Sequence, residues 1–219
     1  FFNSYYFFQI IRNTLVISFL KLVWVFPSSI ILALLINELH NIKLRKIIQT
    51  VSYIPHFFSM VVVAGIVMSL LTTEGGLVNQ AIVLMGGQSR MFLGEPKLFR
   101  PILVVTTLWQ QIGWGTILYL AAIAGVDQEQ YEAAIIDGAG RLRQTWHITL
   151  PSITFVIVIL LIFRIGSLLN AGFEQILLLY SPPVYEVADI IDTYVYRSGI
   201  QNMKYSFATA VGFFKSIIA

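Results

Sequence analysis

Long apolar runs separated by polar connectors organise the chain. The first run, RNTLVISFLKLVWVFPSSIILALLI at 12–36, reaches the roughly 20 residues that cross a bilayer core. It contains Lys21 and Pro27, and the missing N–H of Pro27 predicts a kink. A polar connector at 37–50 carries Lys43, Arg45 and Lys46. The second run extends from about Ser52 to Leu71, entered through YIPHFF and closed by TTEGG, where paired glycines favour a turn. Residues 72–100 are mixed, with a short helix predicted over LVNQAIVLM at 77–85. A third run, PILVVTTLWQQIGWGTILYLAAIAG, opens at Pro101, where a first-turn proline costs little. The fourth extends from about Pro151 to Leu179, and SPPVYEVADIIDTYVYRSG then forms a connector containing a short amphipathic helix. The last run, SFATAVGFFKSIIA, reads as a span seen in part. The pattern predicts an all-α, polytopic transmembrane helical bundle with about five spans.

Composition agrees with that pattern. Hydrophobic residues make up 57% and charged residues 11%, with a mean hydropathy of +0.79, well away from a soluble domain. Membrane lipid is therefore one partner. No linker or internal repeat divides residues 1–219, which read as a single transmembrane domain. The net charge of +3 is spread thinly, without the basic stripe that nucleic acid requires. The absence of cysteine excludes a disulfide scaffold, a redox thiol and thiolate metal ligands. His40, His56 and His147 are isolated and show no metal-ligand spacing. The aromatic start FFNSYYFFQI has no signal-peptide character and reads as that of a fragment. Charge does not fix orientation by itself: Lys43, Arg45, Lys46, Arg141 and Arg143 on one side face Arg90, Lys97, Arg100, Arg197 and Lys204 on the other. The dense trio at 43–46 places the 37–50 connector, and by alternation 125–150, in the cytoplasm.

The polar block EQYEAAIIDGAGRLRQTWHITLPSI at 129–153 breaks this apolar pattern. Its residues predict two short helices around a turn at Gly138 and Gly140, with Asp137 capping the second and Pro151 opening the next span. Tyr131, Ala134 and Ile135 would form a shallow apolar ridge beside Glu132, either a docking surface or an ordinary interfacial loop.

EAAIIDGAG followed by ITLP resembles the EAA loop in membrane subunits of binding-protein-dependent ABC importers. Glu132, Ala133, Ala134, Asp137, Gly138, Ala139, Leu150 and Pro151 fall at the positions of that motif. RNTLVIS at 12–18, QTVSYIPHF at 49–57, GWGTILYLAAIAGVD at 113–127 and the segment 170–197 are similar to carbohydrate importers of the maltose-permease type, in the subgroup for complex or polymeric sugars. The resemblance implies the type I ABC importer permease fold with a cytoplasmic EAA coupling helix. It also implies a further span before Phe1 and the remainder of the last one after Ala219. Its coupling residues here would be Tyr131, Glu132, Ala133, Ala134, Ile135, Asp137, Gly138, Ala139, Gly140, Leu150 and Pro151. The implied partners are a second homologous permease subunit, two cytoplasmic ATPase subunits, an extracytoplasmic solute-binding protein and an oligosaccharide. The implied location is the bacterial plasma (inner) membrane. The chain has no G-x-x-x-x-G-K-[ST] loop, so ATP and Mg belong to the partner ATPases and this subunit needs no cofactor or metal of its own.

Polar residues within the spans are candidates for the solute path, because charge in hydrocarbon usually faces a bundle interior or an aqueous cavity. Lys21 and Arg164 are such cations, and Ser167, Ala171 and Gln175 continue the Arg164 stripe, with Asn170 and Glu174 at its flank. Thr107, Gln110 and Trp114 form another stripe, pairing an indole for pyranose stacking with an amide for hydroxyl groups. Gln111, Gly115 and Ala122 suit close helix packing. Two cations within apolar spans further suggest a carboxylated, uronate-containing solute. A permease of the same fold for amino acids, peptides or phosphate is the nearest rival. A membrane-embedded enzyme is a weaker one, because Glu132, Asp137, Glu174, Asp189 and Asp192 are scattered and leave no catalytic cluster.

Overall fold

A computed structural model describes residues 6–218, and among them every regular element is helical. Two helices are long and apolar enough to cross a membrane: α1 (Phe7–Asn37) and a continuous 26-residue helix from Arg141 to Gly166. The segment α2 (Ile42–Tyr53) with its following turn and α3 (Met60–Leu71) pass only as a pair, bent by 100° at their junction. The bend replaces the single span expected from Ser52. Pro55 lies in a 3-10 turn and the Ser59 hydroxyl caps α3 afresh, accepting from the Val62 N–H. α4 (Leu77–Leu84) forms where the short helix is expected.

α5 (Pro96–Ala124) is 29 residues long, so Pro101 stands inside it and Pro96 occupies the first position. Its middle carries Thr106, Thr107, Gln110 and Gln111, which dilute its apolar character, and Thr106 and Gln110 are buried. The fourth run also departs from expectation. Its helix starts at Arg141 and stops at Gly166, and α9 (Phe173–Leu179) is separate. Gly172, at φ +95°, supplies the left-handed turn between them. The connector that follows holds two short helices, Tyr185–Ala188 and Ile191–Tyr196, before a last helix over Tyr205–Ile218.

The chain forms two compact units. The first comprises the residues up to Leu22, Phe58–Thr107 and those from Gly166 onward. Its core gathers Ile17, Phe99, Leu103, Ile176, Val184 and Ile190. The junction between the short helices Tyr185–Ala188 and Ile191–Tyr196, at Asp189 and Ile190, and the turns flanking it have side-chain partners. The buried Asn13 amide donates to the Glu186 and Asp189 carbonyls at 2.9 and 3.1 Å, and Thr14 Oγ1 accepts from the Ile191 N–H at 3.1 Å. Arg100 bonds Asn13 Oδ1 at 2.8 Å and the Val187 carbonyl at 3.1 Å. Arg197 pairs with the buried Asp189 at 2.5 Å. These bonds replace the helix ladder that the segment lacks.

The second unit comprises Val23–Phe57 and Leu108–Ile165, with Ala33, Ile36, Tyr119, Leu120, Ile123 and Ile153 at its core. Gly113 lets α5 approach the end of α2 so closely that a Cβ there would lie 2.0 Å from the Ser52 carbonyl oxygen. Gly113→Ala is therefore expected to destabilise the subunit by about 1–3 kcal/mol, the usual cost of forcing atoms into a packed site. Gly65→Ala, with nothing within 4 Å of its Cβ, serves as the neutral comparison. Thermal unfolding of the two purified variants checks this, and equal melting temperatures would refute the close contact.

Candidate functional site

The polar block folds as α6 (Gln128–Ile136) and α7 (Arg141–Gln144), followed by a π-helical turn at Thr145–Thr149 and α8 (Leu150–Gly166). Asp127 caps α6, its carboxylate accepting from the Glu129 N–H at 3.0 Å. The helix ends in a Schellman turn: Ala139 N–H donates to the Ala134 carbonyl at 2.8 Å and Gly138 N–H to that of Ile135 at 3.0 Å, with Gly138 at φ +76°. Asp137 is thus the C-terminal cap of α6. It does not cap the helix after the bend; Gly140 stands there, without a side-chain bond.

The exposed apolar ridge also differs from the expected one. Tyr131 is half-buried, its hydroxyl 2.9 Å from Thr149 Oγ1, and Ala134 is half-buried too. Ile135 stays exposed, and Ile136 (85%), Leu142 (78%) and Trp146 (65%) extend the apolar surface beside exposed Glu132 and Ala133. The isolated apolar residues at 136, 142 and 146 in a polar block were the available signal for that extension. Pro151 is the second residue of α8, and the π turn immediately before it carries the ladder past with a Leu150 N–H bond to the Thr145 carbonyl. The connectors at 37–50 and 125–150 meet at one end of this unit. Thr145 donates to Glu38 Oε1 at 3.2 Å, and the Arg141 guanidinium lies against the His40 ring.

The solute-path candidates separate between the two units. In the first, Lys21 Nζ donates to Gln175 Oε1 at 2.7 Å and to the Ala171 carbonyl at 2.8 Å. Thr107 donates to the same Gln175 oxygen at 3.0 Å, and Gln175 Nε2 reaches the Leu103 carbonyl at 3.1 Å. Lys21 and Thr107 thus share a partner, Gln175. Gly172 leaves room for the ammonium, which lies 2.6 Å from where a Cβ would be. Asn170 accepts from Lys215 at 2.9 Å, and Lys215 also pairs with Asp192 at 2.7 Å. Ser167 is half-buried and Glu174 exposed. The expected stripe from Arg164 through Ser167 to Gln175 is not one helix face, because the helix ends at Gly166.

In the second unit, Trp114 and Arg164 line one cavity of about 380 Å³ with Ser29, Tyr119 and Phe163. Trp114 stacks on His56 with ring centres 4.3 Å apart and planes within 6°, and the edge of Phe57 stands 5.9 Å away. The other walls of the indole's surroundings are therefore a cation, hydroxyls and an aromatic ring, a mixture suited to a sugar ring bearing a negative group. Gln110 is buried on the same helix. Sequence reasoning found Trp114 and Arg164 but not His56 as the support of the indole, because their contact spans distant segments.

Known proteins with similar sequences and structures agree with the membrane reading. The chain is 50% identical over 218 residues to the protein LplB of Bacillus subtilis strain 168, covering 100% of this chain and 69% of LplB. It is also 50% identical over 212 residues to the polygalacturonan/rhamnogalacturonan transport system permease protein YteP of the same organism, covering 97% of this chain and 66% of YteP. The chain thus spans about two thirds of the length of these relatives. A crystal structure of a bacterial ABC transporter involved in the import of the acidic polysaccharide alginate matches with a TM-score of 0.96 at 44% identity, covering 99% of this chain and 76% of that one. The family model of the binding-protein-dependent transport system inner membrane component matches residues 26–219. This protein belongs to that family, the inner membrane components of binding-protein-dependent transport systems.

Proposed function

We propose that this chain is a permease subunit of an ATP-driven importer for acidic, uronate-containing oligosaccharides. It works in the bacterial inner membrane as a multi-pass subunit of the type I importer fold. Beside it stand a second permease, two cytoplasmic ATPases that hold ATP and Mg, and an extracytoplasmic solute-binding protein. One observation carries the reading: a single unbroken helix connects the polar block at Arg141 to Arg164 in the cavity with Trp114. That is about 35 Å at 1.5 Å per residue. Residues 128–140 form the coupling helix in this account, with Glu132, Ala133, Ile135 and Ile136 toward an ATPase. Displacement of α6 passes through the Gly138 turn into that stiff helix and moves Arg164 with it, so ATPase closure and the state of the pathway are coupled. Arg164 receives a carboxylate and Trp114 a pyranose face. The association of YteP with polygalacturonan and of the structural relative with alginate supports the acidic sugar.

Uptake into vesicles carrying the complete importer tests the solute. Oligogalacturonate should be preferred over a neutral oligosaccharide of equal length, and Arg164→Gln should lower its uptake by roughly 10–100-fold, the value of a charge-assisted bond. A preference for the neutral sugar that the substitution leaves unchanged would contradict the acidic-sugar reading.

The contacts of Arg141 with His40 and of Thr145 with Glu38 support one side for both connectors. Single cysteines at Lys46 and Arg141 should react with an impermeant thiol reagent from the cytoplasmic side, and those at Glu95 and Glu186 from outside. Labelling of the Arg141 and Glu95 positions from the same side would overturn this topology. The chain has no native cysteine to obscure the result.

A further inference from the structure

A second cavity, of about 620 Å³, opens where α1 and α5 end; Gln128, Tyr131, Ile135 and Arg141 of the polar block form one side of it, and the solute path does not use it. Its polar wall is formed by Glu38, His40, Arg45, Gln128, Arg141 and Gln144. Two guanidinium groups and one carboxylate line it; the carboxylate already accepts from Thr145, and the Arg141 guanidinium already lies against the His40 ring. Gln144 spends one amide hydrogen on the Ala139 carbonyl at 2.8 Å. Among the described residues, no acidic side chain other than Glu38 lines the space.

The neighbouring helix says where this cavity lies. α2 buries none of its residues, and Leu44, Ile47, Val51 and Ile54 run along it at exposures of 44–62%. Lys43 and Lys46 are exposed beside that stripe, and Arg45 faces the cavity. A helix with an exposed apolar stripe and basic residues beside it lies in the membrane interface, with the apolar side in the acyl boundary and the bases among headgroups. Ile31 and Leu35, in the last turns of α1, are exposed at 56% and 60%. Apolar surface therefore leads up to the cavity, and basic surface rims it.

We propose that this cavity holds the phosphate of an anionic phospholipid from the leaflet that contacts α2. Arg45 supplies a planar fork matched to phosphate oxygens, Arg141 adds its positive charge from beside His40, Gln128 adds an amide donor, and the acyl chains follow the exposed side of α1. The inference rests on the membrane placement of α1 and α2 and does not depend on the transported solute. An acidic segment of a partner ATPase would satisfy the arginines equally well, but it would not account for the apolar approach along α1 and α2.

Native mass spectrometry of the complete importer, released from nanodiscs of phosphatidylcholine with or without phosphatidylglycerol, tests this. The wild type should retain phosphatidylglycerol in preference to phosphatidylcholine. Arg45→Gln combined with Arg141→Gln should reduce that retained population by about tenfold or more, given the attraction of each basic group for anionic lipid. Lys97→Gln should leave it unchanged. No preference in the wild type would overturn the proposal whatever the variants do. Displacement of the lipid by millimolar inorganic phosphate would reassign the site to free phosphate. Loss of the ATPase subunits from the double variant in both lipid mixtures would reassign the arginines to a protein interface. Either result rejects the lipid site, while failure of oligogalacturonate uptake bears only on the function proposed above.

Discussion

A peptide group in hydrocarbon has no water to bond, so wherever a helix stops the freed N–H and C=O groups must find partners within the protein. This constraint accounts for several of the buried and half-buried polar residues. Lys21 bonds the Ala171 carbonyl just where the backbone turns through Gly172, and is held there by Gln175, which also receives Thr107. Asn13, Thr14 and Arg100 do the same for residues 186–191. These side chains hold irregular backbone in place, Lys21 among them. Two hydrogen-bonded neutral acceptors offset part of its desolvation.

The polar block meets the same constraint in a different way. Its break at Gly138 is closed by backbone bonds and by the Gln144 amide on the Ala139 carbonyl, and Asp137, Gly138 and Gly140 are exposed. The turn therefore asks nothing of neighbouring spans, and Glu132, Ala133, Ile135 and Ile136 remain exposed, the surface assigned to an ATPase in the function proposed above. On its far side the chain enters a helix with no interruption until Gly166. A stiff element that begins beside that exposed surface and ends beside Arg164 suits the transmission of a displacement in the proposed function. A flexible connection at Pro151 would not. The π turn at Thr145–Thr149 preserves continuity past that proline.

The sequence revealed the helical class, the polar block and two cavity residues because each leaves a local signature. Apolar run length marks α1, motif spacing marks 129–151, and an arginine or tryptophan among apolar residues stands out at 114 and 164. The break at Gly166–Gly172 was not legible, since the apolar residues resume at 176–179 and the left-handed φ of Gly172 leaves no mark on hydropathy. The partner of Lys21 lies 154 residues away at Gln175, beyond the reach of any periodicity. The 37–50 connector reads as polar because Lys43, Arg45 and Lys46 dominate it, which hides the apolar stripe of α2. Balanced charge counts left orientation weak, whereas the Thr145–Glu38 contact joins the two connectors directly.

The account depends most on the claim that the turn at Gly138 passes force from an ATPase to the helix of Arg164. The most direct measurement is solute-stimulated ATP hydrolysis by the reconstituted importer carrying Gly138→Val. The left-handed φ of +76° strains any side chain at this position even though the space around it is open. The account predicts that the ATPases remain bound and hydrolyse ATP at the basal rate, while stimulation by solute-loaded binding protein is lost. Full stimulation in that variant would contradict it.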